Sequence, residues 1–271
     1  MDAFLPLIKE LENDDMCYIS ISKKQSVTEQ AIKPIEYFYD FVFCLDITGG
    51  MDPLLRSIRE VIANLYNRFE RYYSEYYNKK MASLRVKIIA FRDVYCDGKY
   101  WLETSDFFIL PSQTNELLDV LSALEAKGGG DDPESALEAL VLAMKSDWIK
   151  INDINTQRTR HVIILCTDAA AHAFEESKLY ESNNYPHGMP ESYKELLIAW
   201  NGSQPLDGNI ERTFYMDKRA RRLFIFAPEG CYPWDDICED FEACVFRPVE
   251  ERLGSGDINA ETMLDTIFLQ Y

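Results

Sequence analysis

Residues 39–50 read YDFVFCLDITGG, and this stretch decides the fold class. Its first seven residues form an almost continuous apolar run, which is typical of a parallel strand that is covered on both faces. The run stops at Asp46, and Thr48 follows two residues later. The stretch therefore predicts a buried parallel strand with an acidic and a hydroxyl side chain at its carboxyl end.

Similar runs recur along the chain, and helix-length segments with apolar residues at helical spacing separate them. The predicted strands are 39–45, 84–91, 161–166 and 222–226, and the predicted helices are 53–79, 133–148, 192–200 and 257–269. Strands that alternate with helices predict an α/β fold with a doubly wound, mostly parallel sheet flanked by helices, which is a Rossmann-like arrangement.

The predicted domain covers residues 36–271, and residues 1–35 are interpreted as an extension that packs on it or precedes it. Residues 169–191 are polar and rich in Asn, Pro and Gly, so we predict a long loop insertion there. Loops of this length in compact domains are usually functional or disordered.

Charge and composition limit the classes of partner. The chain has 271 residues, and 28 Lys and Arg against 46 Asp and Glu give it a net charge of −18. Such an acidic surface repels phosphates, which disfavours nucleic acid as a partner. No stretch has the roughly 20 apolar residues of a membrane helix, and the first residues lack the pattern of a signal peptide. The seven cysteines show no zinc-site spacing, so we expect a protein of the reducing cytoplasm.

Acidic side chains are expected to meet at one edge of the sheet. Ligands of doubly wound sheets bind outside the carboxyl ends of the strands. Asp46, Asp93 and Asp168 each follow a predicted strand, and Asp131 and Glu134 open a predicted helix. Converging carboxylates repel one another unless a positive charge lies between them. A hard divalent cation with oxygen ligands meets that need.

These loops resemble a known family. The Asp46-x-Thr48-x-Gly50 loop resembles the metal-ion-dependent adhesion site (MIDAS) of von Willebrand factor A (vWA) domains, and residues 166–169 resemble that family's third metal loop. Residues 130–134, which read GDDPE, are similar to a segment of integrin beta I-like domains and of A domains from bacteria or linked to alpha-kinases. The three loops occur in the family's order, which makes the match specific.

The resemblance implies a role for each matched residue. Asp46 and Thr48 would hold the cation directly or through water, Glu134 would bind it directly, and Asp168 would bind mainly through water. Asp93, Asp131 and the Pro133 carbonyl match an adjacent second cation site in the integrin relatives. Gly50 departs from the family, which has a serine there, so one hydroxyl ligand is missing and a water molecule is expected to replace it.

The function that the resemblance implies is binding rather than catalysis. A Mg²⁺ ion, with Mn²⁺ and Ca²⁺ as alternatives, would keep one coordination position open for an Asp or Glu of a partner protein. The chain would then be an adaptor in an intracellular bacterial complex, and no catalytic residue is expected.

Two other interpretations stay open. A Mg²⁺-dependent phosphoryl-transfer enzyme would need an Asp-x-Asp pair, but Thr48 occupies the second position. A degenerate scaffold would keep the fold and lose the metal because of Gly50. His172 lies four residues after Asp168 and either approaches the metal face or orders its loop.

Overall fold

The structure is a computed structural model, and it describes residues 35–76, 80–130, 133–202, 216–249 and 260–268. The predicted extension at 1–35 lies outside these residues, apart from Ile35. Among the described helices, none is long and apolar enough to cross a membrane.

One sheet of seven strands forms the centre of the described structure. Five long or medium strands are parallel to one another, and the two short strands β3 and β4 both pair antiparallel with β2. The sheet order is β3-β2-β1-β5-β6-β7, with β4 also on β2. The strands are β1 (Glu36–Asp46), β2 (Lys80–Phe91), β3 (Leu102–Thr104), β4 (Phe108–Leu110), β5 (Gln157–Cys166), β6 (Arg221–Pro228) and β7 (Cys244–Val249).

Helices flank this sheet, and their bounds are as follows. The helices are α1 (Asp52–Tyr76), α2 (Thr114–Ala123), α3 (Ala136–Met144), α4 (Phe174–Ser177), α5 (Tyr193–Trp200), α6 (Trp234–Asp240) and α7 (Ala260–Phe268), with 3₁₀ turns at Gly98–Tyr100 and Lys178–Asn183. The predicted α/β fold class with a mostly parallel sheet is therefore confirmed.

The core has two halves because neighbouring residues of a strand point to opposite faces. In β1, Phe41 and Phe43 pack in the half that also contains Ile58 and Phe69 of α1. Val42 and Cys44 pack in the other half, which contains most of α3. Both faces of β1 are thus buried, which explains why its sequence is continuously apolar instead of alternating.

Parallel register brings the ends of three strands together. Asp46, the last residue of β1, pairs with Phe91, and Leu45 pairs with Cys166. The loops that follow β1, β2 and β5 therefore leave the sheet at the same edge. This edge is called the carboxyl edge below.

The segment after β5 is more ordered than its sequence predicts. Between residues 169 and 191, where we predicted a long loop, the chain forms α4 and a 3₁₀ turn. Phe174 and Ser177 of α4 are buried. Phe174 packs in the half of the apolar core that contains α3, which attaches this segment to the domain.

Candidate metal centre

Asp46 lies at the centre of the carboxyl edge and is fully buried. Its Oδ1 accepts hydrogen bonds from the Thr48 amide at 2.9 Å and the Thr48 hydroxyl at 2.7 Å. Its Oδ2 accepts a hydrogen bond from the Thr167 hydroxyl at 2.7 Å. Both oxygens therefore accept hydrogen bonds, and Asp46 orients the two hydroxyl groups beside it.

Glu134 approaches this group from the segment that precedes α3. Its amide donates to the Ala170 carbonyl, and its carbonyl accepts from the His172 amide, so the backbone is attached to the loop that follows β5. The side chain is 4% exposed, and Oε2 is buried without a hydrogen-bond partner among the described residues. A buried carboxylate oxygen without a partner is unfavourable unless something else satisfies it.

A glycine run lets Glu134 and Thr48 come together. Gly129 has a φ angle of +70°, and a Cβ atom on it would stand 2.9 Å from Glu134 Oε1 and 2.9 Å from Thr48 Cβ. A side chain at this position would therefore collide with both residues. The absence of a side chain at Gly129 keeps the carboxylate beside the hydroxyl-bearing loop.

Asp93 is fully buried, and the ring of His172 lies beside its carboxylate. Its Oδ1 accepts a hydrogen bond from the Tyr95 amide at 2.9 Å and lies 3.2 Å from His172 Nε2. Within the described part of the chain, its Oδ2 has no hydrogen-bond partner, and the two ring nitrogens of His172 make no hydrogen bond of good geometry. His172 therefore lies against one predicted site residue, Asp93.

Gly50 and Asp168 meet at the partly exposed side of the site. A Cβ atom on Gly50 would stand 2.8 Å from Asp168 Oδ2. The carboxylate of Asp168 thus lies close to Gly50, the position at which the sequence departs from the motif that it resembles. The structure brings these two predicted residues together, and Asp131 lies outside the described residues.

The site concentrates negative charge where water is scarce. Burial raises the pKa of Asp46 to about 6, although hydrogen bonds from Thr167 and Thr48 oppose this shift. Burial also raises the pKa of Glu134 to about 10, and the charges of Asp46, Asp93 and other nearby carboxylates add to the shift. Burial acts in the same direction on Asp93, but the contacts with His172 and the Tyr95 amide outweigh it and lower the pKa of that carboxyl.

The carboxylates do not form a closed cage. Within the described residues, no group of three or more His, Cys, Asp or Glu side chains stands close enough to hold a metal ion alone. An ion at this edge would therefore depend on hydroxyl groups and water as well as on carboxylates.

Two contributors to the site, and one buried acidic residue in the adjoining helix, were not predicted. Thr167 donates to Asp46, and Asp97 accepts from the Gly129 amide at 3.1 Å, which fixes the glycine run. Glu138 lies in α3, four residues after Glu134, is fully buried, and accepts a hydrogen bond from the Tyr185 hydroxyl at 2.9 Å. An acidic residue within the apolar sequence of α3 was the one local signal for Glu138.

We expect Thr167→Val to destabilise the protein by about 1–3 kcal/mol, since valine keeps the shape but removes the donor to a buried oxygen of Asp46. Urea denaturation of the chelator-treated protein measures this change. Thr114→Val is the matched control, because the Thr114 hydroxyl makes an exposed hydrogen bond to the Pro111 carbonyl. An equal loss of stability in both variants would contradict the assigned role of Thr167.

The fold and the site define an α/β domain with acidic and hydroxyl groups gathered at the carboxyl edge of its sheet. No family model matches the chain. The alpha-protein kinase vwkA of Dictyostelium discoideum is 27% identical over 168 residues, which are 62% of this chain and 24% of the kinase. The chain therefore spans about a quarter of the length of this relative, and the relation is weak.

Solved structures show distant similarity. The pilus adhesin SpaC of Lactobacillus rhamnosus GG matches with a TM-score of 0.44 and 12% identity, over 88% of this chain and 30% of the adhesin. Proximal thread matrix protein 1 from the mussel byssus matches with a TM-score of 0.46 and 7% identity, over 88% of this chain and 48% of the matrix protein.

Proposed function

We propose that this chain is a protein-interaction module of the vWA type, which binds a divalent cation at the carboxyl edge and an acidic group of a partner through that cation. The observation that carries the proposal is the Glu134 carboxylate. Among the described residues its Oε2 is buried without a hydrogen-bond partner, and burial, together with the charges of neighbouring carboxylates, raises its pKa. A cation beside Glu134 would satisfy this oxygen and remove the mutual repulsion.

The available donors suit a hard cation. They are carboxylate and hydroxyl oxygens, which favour Mg²⁺, Mn²⁺ or Ca²⁺ over zinc. Glu134 would supply a direct ligand, Thr48 a hydroxyl ligand, and Asp168 a ligand through water. Asp46 already accepts three hydrogen bonds, so its main role would be to orient Thr48 and Thr167. Mg²⁺ usually retains several waters, which agrees with the open carboxylate arrangement.

Binding of a partner would use an open coordination position of the ion. A carboxylate of a partner protein would replace one water there, and the ion would supply positive charge at this acidic edge of the sheet. The similarity to an alpha-protein kinase agrees with the resemblance to A domains linked to such kinases. We therefore propose an adaptor role within a signalling complex.

The alternative of phosphoryl transfer has less support. That chemistry needs an acid two residues after the nucleophilic aspartate, and Thr48 stands there with its hydroxyl bonded to Asp46. Both oxygens of Asp46 accept hydrogen bonds from Thr48 and Thr167, which favours an orienting role for this carboxylate over a nucleophilic one. We propose on these grounds that the site binds and does not catalyse.

Calorimetric titration of Mg²⁺ into chelator-stripped protein tests the proposal. We expect one saturable site, and we expect Asp46→Asn to weaken it by about 10–100-fold, as is typical for residues that orient metal ligands. Asp119→Asn is the matched control, because Asp119 is an exposed residue of α2 and its loss should leave the affinity unchanged.

A parent protein that binds neither Mg²⁺ nor Mn²⁺ would overturn the proposal and favour a metal-free scaffold. Equal weakening by both substitutions would indicate diffuse attraction of the cation to an acidic surface. If the proposal is correct, a peptide that carries one Glu should bind the Mg²⁺-loaded parent protein and not the chelator-treated protein.

A further inference from the structure

A second candidate site lies at the opposite edge of the sheet, where β5 and β6 begin. A cleft of about 370 Å³ opens there, and its walls include Arg158, Arg160 and Arg219. Arg158 and Arg160 belong to β5 and are two residues apart, so their side chains leave the strand on the same face. Arg219 comes from the turn that precedes β6.

Two turns hold the walls of the cleft. Asp153 accepts from the Asn155 amide and the Thr156 hydroxyl in the turn before β5. Asp217 accepts from the Arg219 amide at 2.9 Å in the turn before β6. The Asp217 amide donates to a ring nitrogen of His161 at 3.3 Å, which ties the second turn to β5. Both turns are therefore fixed before any ligand arrives.

The arginines of the cleft are incompletely neutralised. Arg158 donates to the carbonyls of Ile154 and Gln157, and Arg160 donates to the Thr159 carbonyl. Neither has a carboxylate within 4.0 Å in the part of the chain that the structure describes. Among the described carboxylates Arg219 contacts Asp217 alone, at a long distance of 3.7 Å, and its side chain is 77% exposed.

Charge and size together indicate the ligand. The lining contains three guanidinium groups and one carboxylate, that of Asp217, which leaves an excess of two positive charges. A phosphate monoester carries about two negative charges at neutral pH, and guanidinium groups bind its oxygens in pairs. The cleft volume lies in the range of small-molecule sites. The net charge of −18 disfavours long polyanions such as nucleic acid.

The cleft also has an apolar wall. Ile151, Ile154 and Ala220 line it beside the arginines, and the side chain of Ile154 is 55% exposed. An exposed isoleucine beside unneutralised arginines suits a ligand with an apolar body and an anionic head. We propose that this cleft binds the phosphate monoester group of a small organic molecule, independently of the metal centre.

Titration with phenyl phosphate, monitored by amide NMR shifts, tests this inference. We expect saturable shifts at the amides of residues 158–160 and 219–220, with an affinity at least about tenfold above that of inorganic phosphate because of the apolar wall. Benzoate, with one negative charge, should bind more weakly than phenyl phosphate. Arg160→Gln and Arg219→Gln should each weaken binding by roughly tenfold or more, as expected for charge-assisted hydrogen bonds.

Arg56→Gln is the matched control, because Arg56 is an exposed residue in the first turns of α1, which begins at the carboxyl edge and not at the cleft. Because the side chain of Arg219 is exposed, we expect Arg219→Gln to fold like the parent protein. The test therefore remains valid even if Arg160→Gln fails to fold. No saturable shift with phenyl phosphate, or equal weakening by all three substitutions, would overturn the inference. Tighter binding of a phosphoserine peptide than of phenyl phosphate would overturn the assignment to a small molecule.

Discussion

Replacing Glu134 with glutamine is expected to weaken Mg²⁺ binding at least about 100-fold and, at the same time, to stabilise the metal-free protein. The loss of affinity follows because Glu134 supplies the proposed direct ligand with its buried, unpartnered Oε2. The gain in stability follows because the folded state without a cation is unfavourable for this carboxylate. The two effects have opposite signs, which a purely structural role for Glu134 would not produce.

The direction of the pH dependence follows from the raised pKa. Glu134 has an ordinary pKa of about 4.5 in the unfolded chain and about 10 in the folded protein, so the folded state binds more protons between these values. The stability that Glu134 contributes is fully present below about pH 4.5 and is lost as the pH rises toward 10. Glutamine does not ionise, so the free energy of unfolding of Glu134→Gln should exceed that of the parent by roughly 1–3 kcal/mol at pH 7.

Urea denaturation of both proteins in chelator at pH 5, 6, 7 and 8 measures this difference. The advantage of Glu134→Gln should grow with pH and disappear when the parent is saturated with Mg²⁺. Glu116→Gln is the matched control, since Glu116 is an exposed residue in the first turn of α2 and its loss should change little. A destabilised Glu134→Gln protein at pH 8 would contradict the account of repulsion at the site.

The Asp40→Ala substitution is expected to destabilise the fold by about 3–5 kcal/mol, the usual cost of breaking a buried ion pair. Asp40 is fully buried in β1, and its oxygens accept from Arg85 at 2.8 and 2.6 Å. It also accepts from the Ile149 amide at 2.7 Å, which connects β1 to the segment before β5. Alanine would leave a half-buried guanidinium group and an amide without their acceptor.

A double-mutant cycle with Arg85→Ala separates the contribution of the Asp40–Arg85 ion pair from that of the other contacts of Asp40. We expect the two substitutions together to cost less than the sum of the single substitutions, by roughly 0.5–3 kcal/mol, because each one alone leaves an uncompensated charge. Glu125→Ala is the control, since Glu125 and Lys127 form an exposed pair at 2.7 Å that should contribute no measurable stability. Additive effects would show that Asp40 acts mainly through Ile149.

The Asp40 variant also tests whether stability and cation binding are separate. Asp40 lies six residues before Asp46 in β1, which places it roughly 20 Å from the carboxyl edge. We therefore expect the folded fraction of Asp40→Ala to bind Mg²⁺ with the affinity of the parent. A parallel loss of both properties would mean that the strand transmits strain to the site.

The fold class follows from local sequence because a strand that is buried on both faces has a continuously apolar sequence. The four predicted strands all lie within observed strands, and the four predicted helices overlap α1, α3, α5 and α7. The short edge strands β3, β4 and β7 and the helices α2 and α6 were not predicted. Apart from α2, these elements have only three to seven residues, and α2 buries only Leu117 and Leu121. Their periodicity is therefore too weak to separate from that of a loop.

The candidate site was likewise predicted only in part from the sequence. The sequence alone placed Asp46, Thr48, Asp93, Glu134 and Asp168 at strand or helix ends, because the end of an apolar run is visible without coordinates. That these ends share one edge depends on the parallel register of β1, β2 and β5. Strand order arises from long-range pairing, which no local pattern encodes.

Only the tertiary structure decided which polar groups satisfy one another. Thr167 reaches Asp46 across 121 residues of sequence, and the approach of Gly50 to Asp168 joins two separate loops. The cleft of Arg158, Arg160 and Arg219 likewise joins two turns that are distant in sequence. The sequence by itself determined which residues must be buried, since hydrophobicity is a property of each residue. The partners of the buried and charged groups were determined by packing, because a hydrogen bond or an ion pair depends on two positions at once.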